Sequence, residues 1–250
     1  MIDLHAHILP AIDDGPQSLE ESVEMCRLAW ENGTRGIVAT SHGNGFKGAS
    51  RKDYACAFRL LAKELQKEEI PLEIYPGMEV FMDEDALRRL NEGKLFTLNH
   101  TPYVLAEFSF EEDLWMVSEY LSLLEEAGYM PIIAHAERYE GVQRHPEQVY
   151  TWVNKGYVIQ VNKGSFFGTF GKFSQNTALS LLSHNLIHVI ASDTHGIHMR
   201  SPNLTKIKQF LDEKVGVKYR NLLCCENPRR ILQGEEIFSF LPKPYSRNGR

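Results

Sequence analysis

Apolar runs of strand length recur along the chain, separated by segments whose apolar residues return every three or four positions. The strand candidates are Ile2–His7, Gly36–His42, Leu72–Val80, Tyr103–Phe108, Met130–His135, Tyr157–Val161 and His188–Ser192. Between the first two, Leu19, Val23, Cys26 and Trp30 space as one helical face; Ser18 and Glu21 form a capping-box pattern and Gly33 suits the stop. Tyr54, Phe58, Leu61 and Leu65 repeat that spacing before the third run. Leu114, Val117, Leu121 and Leu124 do so before the fifth, with Gly128 as the stop. Further helices are expected at about 145–156, 174–185 and 204–214. No Gly/Pro/Ser-rich linker, low-complexity tract or short repeat interrupts the alternation. It predicts an α/β fold in one domain spanning residues 1–250, and seven strands favour a barrel over an open sheet.

The polar exceptions to this pattern gather at the strand ends. His5 and His7 close the first run, His42 the second, Glu79 the third and Glu107 the fourth. His135 closes the fifth, Asp193 and His195 follow the seventh, and Asp14 comes soon after the first in HAHILPAIDDG. In a β/α barrel the C-terminal ends of all strands open on one face, so these side chains are expected to converge. Glu79 in YPGMEV and Glu107 in YVLAEFS are flanked by apolar residues. Burying an unpaired carboxylate costs several kcal/mol unless a cation or strong donors compensate. Asp3 and Asp13 are open between groups that orient the histidines and ordinary turn or strand-start residues. His100, His145, His184, His188 and His198 read as surface or capping residues.

The set His5, His7, Asp14, His42, Glu79, Glu107, His135, Asp193 and His195 offers imidazole and carboxylate without thiolate. That suits Mn, Fe or Zn and argues against a structural zinc site. Nine donors exceed what one ion uses and would fill two or three centres with bridging carboxylates. Arg138 stands three residues after His135, and Arg200 seven after Asp193. Arginine's planar fork matches phosphate oxygens, so a phosphate ester is the favoured substrate class.

Composition narrows the alternatives. A hydrophobic fraction of 43% supports a sizeable core, and a net charge of −6 argues against a general nucleic-acid binder. No apolar run approaches the ~20 residues of a membrane span, and MIDLHAHI lacks a basic region before an apolar stretch. The cytoplasm is the expected compartment. Cys26, Cys56, Cys224 and Cys225 have no metal-type spacing and read as reduced core thiols, and the tail KPYSRNGR as a loose terminus. Cys224 and Arg230 fit a C-x5-R pattern, but Pro228 removes a backbone donor and no glycine intervenes, which a phosphate-cradling loop needs.

HAHILPAIDDG, ATSH, PGMEV, AEF, AHAER, QVNKGSFFGTFG and ASDTHGIHMRSP, in that order, resemble the PHP superfamily, named for polymerase and histidinol phosphatase. Within it the chain is most similar to the bacterial manganese-dependent protein-tyrosine phosphatases of capsule and exopolysaccharide clusters, the CpsB/YwqE type, from Met1 to about Gly234. The resemblance implies a distorted, TIM-like barrel of seven β/α units and three divalent ions, manganese first, with Fe or Zn as alternatives. One centre would use His5, His7, Glu79 and Asp193; a second Glu79 as a bridge with Glu107 and His135; a third Asp14, His42 and His195. Arg138 and Arg200 match the family's phosphate-binding arginines. The implied chemistry is in-line attack on phosphorus by a water that the metals acidify. The third ion, or a protonated His42 if not ligated, would assist the leaving group.

Ser41 and Ala136 depart from the family pattern, which has proline beside each ligand histidine, and Lys163 stands where a small residue is common. The implied partner is a phosphotyrosine protein, the tail of a bacterial tyrosine kinase controlling polysaccharide export. Loops 44–52 and 165–173 are the candidate rim. Neither nucleic acid nor membrane insertion is expected, and an oligomer is left open. The alternative within the superfamily is a small-molecule phosphatase such as histidinol phosphatase.

Overall fold

The computed structural model describes residues 1–45 and 48–245. Among them eight strands form: β1 (Ile2–Ala6), β2 (Gly36–Ala39), β3 (Glu73–Pro76), β4 (Glu79–Phe81), β5 (Tyr103–Glu107), β6 (Met130–Ile133), β7 (Val158–Asn162) and β8 (Val189–Ala191). All pairings are parallel, in a sheet β1-β2-β3 and a sheet β4-β5-β6-β7-β8.

The strand count departs from the expected seven because the run Leu72–Val80 breaks into β3 and β4 around Gly77. A Cβ at Gly77 would lie 2.6 Å from Val38 Cγ1 and 2.8 Å from Leu98 Cδ2, an approach only glycine allows. The ladder is therefore not a closed seven-stranded barrel. The two sheets meet at two seams, each marked by an isolated bridge, Ala6 with Thr194 and His42 with Glu79. His7 N–H donates to Thr194 O at 2.9 Å, and Gly43 N–H to Glu79 O at 2.9 Å.

Period-two alternation sorts the strand residues. Leu4, Val38, Leu105, Ile132, Val158 and Val189 pack together in one cluster with Ile231 and Leu232. Their neighbours Ile37, Val104, Ile133, Ile159 and Ile190 pack with the helices, against Val23, Leu61, Leu121 and Leu181. Strands buried on both faces are the mark of a parallel α/β fold. Continuing by twos from the first group reaches His42, Glu107, Gln160, Asn162 and Asp193. The same side of a strand thus begins apolar and ends in a polar side chain.

The helices alternate as expected: Leu19–Glu31, Arg51–Lys67, Leu114–Glu126, Glu147–Asn154, Gly171–Ser183 and Thr205–Lys214. Ser18 Oγ accepts Glu21 N–H at 3.2 Å, as the capping-box pattern predicts. No helix among the described residues is long and apolar enough to cross a membrane.

Three local readings change. The tail is anchored as far as Tyr245, whose ring stacks on His184 with centroids 3.8 Å apart, while Lys243 N–H donates to His184 O at 2.8 Å. Residues 246–250 lie outside the described residues. His188 is buried rather than superficial, its Nδ1 accepting Ile159 N–H at 3.1 Å. Cys26 and Cys224 are core thiols, but Cys56 is exposed. Cys224 lies in a helical turn, and burial pushes its thiol up to about 12.

Candidate metal centre

The nine predicted donors lie together at the C-terminal ends of the strands. His5 Nε2 is 3.2 Å from Glu79 Oε1 and 3.4 Å from Asp193 Oδ1. His7 Nε2 is 3.2 Å from Glu79 Oε2. His42 reaches both sides: Nδ1 is 3.3 Å from Glu79 and 3.5 Å from Glu107, and Nε2 is 3.5 Å from Asp14 Oδ1. His195 Nε2 is 3.4 Å from the same Asp14 oxygen. His135 Nε2 lies 3.0 Å from Glu79 Oε1 and 3.6 Å from Glu107 Oε1.

The arrangement of donors fits cations. Three groups have donor atoms mutually within 4.8 Å: His7, Asp14, His42 and His195; His5, His7 and Asp193; His42, Glu79 and Glu107. His7 and His42 each belong to two groups, a sharing that the residue types alone do not reveal.

The electrostatics of the cluster point the same way. Burial pushes the His7 imidazole down, but Asp13 and Glu79 outweigh it and raise it well above its ordinary value. Burial likewise opposes protonation of His135, yet Glu107 and Glu79 lift it to about 9. Burial would raise the Glu79 carboxyl, but His5, His135 and His7 hold it well below the usual range. The carboxylates around His7 and His135 thus favour positive charge beside them, which divalent cations would supply.

Local structure aims these groups. His135 (φ 32°) and Asp193 (φ 50°) both sit in the left-handed region just past their strands. For a side chain larger than glycine this costs roughly 1–3 kcal/mol, which the surrounding contacts must offset. Gln160 helps to hold His135 there, its Oε1 accepting the His135 N–H at 2.8 Å while lying 3.1 Å from His5 Nδ1. Asn162 Nδ2 donates to Asp193 Oδ2 at 2.6 Å. Neither amide was among the predicted site residues. Their signal is a buried strand, VIQVN, that places Gln and Asn on the side it shares with Val158.

Asp13 and Asp3 resolve differently. Asp13 Oδ2 accepts from His7 Nδ1 at 2.8 Å, so it orients a histidine. Asp3 Oδ1 accepts Ser192 N–H at 2.9 Å and ties β1 to the end of β8.

Arg138 and Arg200 converge on Asp193. Arg200 pairs through its guanidinium with Asp193 Oδ1 and donates from Nε to the Asp193 carbonyl at 3.0 Å. Arg138 Nη1 is 3.7 Å from Asp193 Oδ2, and its Cζ lies 4.3 Å from the ring centroids of both Phe110 and Phe170. Those two rings carry no period that would have flagged them. Of the two candidate rim loops, 165–173 therefore reaches the site through Phe170. The other contains Phe46 and Lys47, which lie outside the described residues.

A parallel α/β fold with imidazoles, carboxylates and arginines at its strand ends defines a metal-dependent hydrolase. The chain belongs to the capsular polysaccharide synthesis CpsB/CapC family, whose model matches residues 1–233. It is 36% identical to the tyrosine-protein phosphatase YwqE of Bacillus subtilis, over 99% of this chain and 97% of that protein. To the tyrosine-protein phosphatase CpsB of Streptococcus pneumoniae it is 33% identical, over 95% and 100%. A chain from the crystal structures of YwqE and CpsB, metal-dependent tyrosine phosphatases, superposes with a TM-score of 0.92 at 36% identity, covering 99% of this chain and 100% of that one. A phosphotriesterase homology protein from Escherichia coli shares the fold at a TM-score of 0.63 and 10% identity, over 93% and 98%.

Proposed function

We propose that this chain is a metal-dependent protein-tyrosine phosphatase. The observation that carries the reading is the convergence of Arg138 and Arg200 on Asp193 at the margin of the donor cluster. Two guanidinium forks beside a cation site are suited to the oxygens of a phosphoryl group.

Three divalent ions, manganese foremost, would be held by the three donor groups, with His135 joining at Glu79 and Glu107. When bound, such ions supply Lewis acidity to the phosphoryl oxygens and acidify the attacking water. The chain's own residues do the rest. Arg138, flanked by Phe110 and Phe170, and Arg200, tied to Asp193, orient the phosphate. Both nitrogens of His42 face carboxylates, which supports a ligand role over that of a leaving-group acid. A tyrosine phenolate needs little such help, because its conjugate acid has a pKa of about 10.

The family's place in capsular polysaccharide synthesis supports a bacterial tyrosine kinase as the phosphoprotein; we further take the chain to act in the cytoplasm, with residues 1–250 as one domain. The test compares a phosphotyrosine peptide, a phosphoserine peptide and histidinol phosphate with Mn²⁺ present. Phosphotyrosine should be turned over with much the highest kcat/KM. Faster turnover of histidinol phosphate would make the enzyme a small-molecule phosphatase.

A further inference from the structure

Next to the donor cluster lies a cavity of about 460 Å³ lined in part by Arg200, which pairs with Asp193 of that cluster. Lys163, His198 and Lys206 also line this cavity, and among the described residues no carboxylate does, in a chain whose net charge is −6. Its aromatic walls are Phe167 and Phe170, and Lys206 Nζ lies 4.1 Å from the Phe167 ring centroid.

We infer that this cavity is a subsite for a carboxylate side chain, Asp or Glu, flanking the phosphotyrosine of a peptide substrate. The inference rests on the phosphatase reading above.

Three features support it. The first is shape. Lys163 Nζ donates to the carbonyls of Ser201 and of Asn203, the latter at 2.6 Å, which fixes the loop forming one side of the cavity. The cavity is thus formed before a ligand arrives, and ordering it costs little on binding.

The second is charge. Arg200 is partly neutralised by Asp193, whereas Lys206 lies over an aromatic ring and, among the described residues, forms no ion pair. The first turn of the helix Thr205–Lys214 also lines the cavity and adds the positive end of its dipole. An anion is the complement of such a surface, and in a peptide the carboxylate side chains supply it.

The third is continuity. Ser192 and Arg200 line this cavity, while Asp193, next to the first and bonded to the second, belongs to the donor cluster. Phe170 walls the cavity and stacks on Arg138. An extended peptide advances about 3.4 Å per residue, so a side chain within a few residues of the phosphotyrosine reaches it. The phenyl walls suit the methylene groups of such a side chain.

The experiment uses the Mn²⁺-loaded full chain and two phosphotyrosine peptides that differ only in having Glu or Gln at the flanking positions. Wild type should prefer the Glu peptide in kcat/KM. Lys206→Gln should lower kcat/KM for the Glu peptide by about threefold and Lys206→Glu by about tenfold. Neither should change turnover of the Gln peptide or of free phosphotyrosine. Equal kcat/KM for the two peptides in wild type, or equal losses on both in the variants, would overturn the inference. The same pair carrying phosphonomethyl-phenylalanine in place of phosphotyrosine, read by fluorescence anisotropy, tests the subsite without turnover. If no phosphotyrosine substrate is hydrolysed, the phosphatase reading fails, and this binding comparison still decides the cavity.

Discussion

Asp13 Oδ2 lies 2.8 Å from Nδ1 of His7, which leaves Nε2 of that ring to face Glu79. The same oxygen accepts the His42 backbone N–H at 3.1 Å, and Oδ1 accepts Gly15 N–H at 2.9 Å. One carboxylate thereby sets the tautomer of one donor and the backbone of another. Asp13→Ala should weaken Mn²⁺ affinity by about 10–100-fold, the usual cost of losing a group that orients a ligand. Calorimetric titration with Mn²⁺ checks this, and an unchanged isotherm would mean that His7 is oriented by its packing.

Arg138→Lys and Arg200→Lys should each lower kcat/KM by roughly tenfold or more, because lysine keeps the charge and loses the fork. Inorganic phosphate should inhibit both variants less. The ring contacts of Arg138 add a second expectation. Phe170→Leu removes a cation–π contact of about 1 kcal/mol and should cost several-fold in kcat/KM. Unaltered kinetics and phosphate inhibition in all three would detach these side chains from substrate.

His135→Ala should nearly abolish activity, and Cys224→Ser should leave it close to wild type. His135 contacts Glu79 and Glu107. Cys224 is buried, with a thiol too weakly acidic to act as a nucleophile near neutrality. An inactive Cys224→Ser protein that remained folded and metal-loaded would restore a cysteine mechanism.

His188 makes stability depend on pH. Burial lowers its imidazole to about 4, from an ordinary 6.5, and Nδ1 must stay unprotonated to accept Ile159 N–H. Above pH 6.5 both folded and unfolded chains carry it neutral, so it adds no slope. As pH falls from 6.5 towards 4 the unfolded chain takes up the proton first, and stability drops, by about 2 kcal/mol at pH 5. Urea unfolding of wild type and His188→Asn at pH 7 and pH 5 should show a smaller loss in the variant. Equal losses would show that His188 does not contribute to the acid limb.

Much of the site is legible in the sequence because topology does the gathering. Once strands are parallel, residues ending them share a face, so His5, His42, Glu107 and Asp193 meet although they are far apart in the chain. What is not legible depends on packing. The run Leu72–Val80 reads as one strand because both halves are apolar. The break falls at Pro76-Gly77, a turn-type dipeptide that the apolar residues on either side mask, and the close approach of Val38 and Leu98 requires the glycine there. Gln160 and Asn162 are uncharged and sit in an apolar strand, so composition does not separate them from ladder residues. The Phe110–Arg138–Phe170 stack joins two turns and a 3-10 helix with no shared period.

The two seams between the sheets fall where the donors are: His42 and Glu79 form one bridge, and Thr194 of the other stands between Asp193 and His195. In polymer terms, an ion held jointly by His5, His7 and Asp193 ties the start of the chain to a point more than three-quarters of the way along it. Closing so long a loop removes several kcal/mol of entropy from the unfolded chain, by the same reasoning applied to cross-links. Metal loading would therefore act as a clasp on the fold as well as a source of chemistry, and chelation should lower the unfolding temperature along with activity.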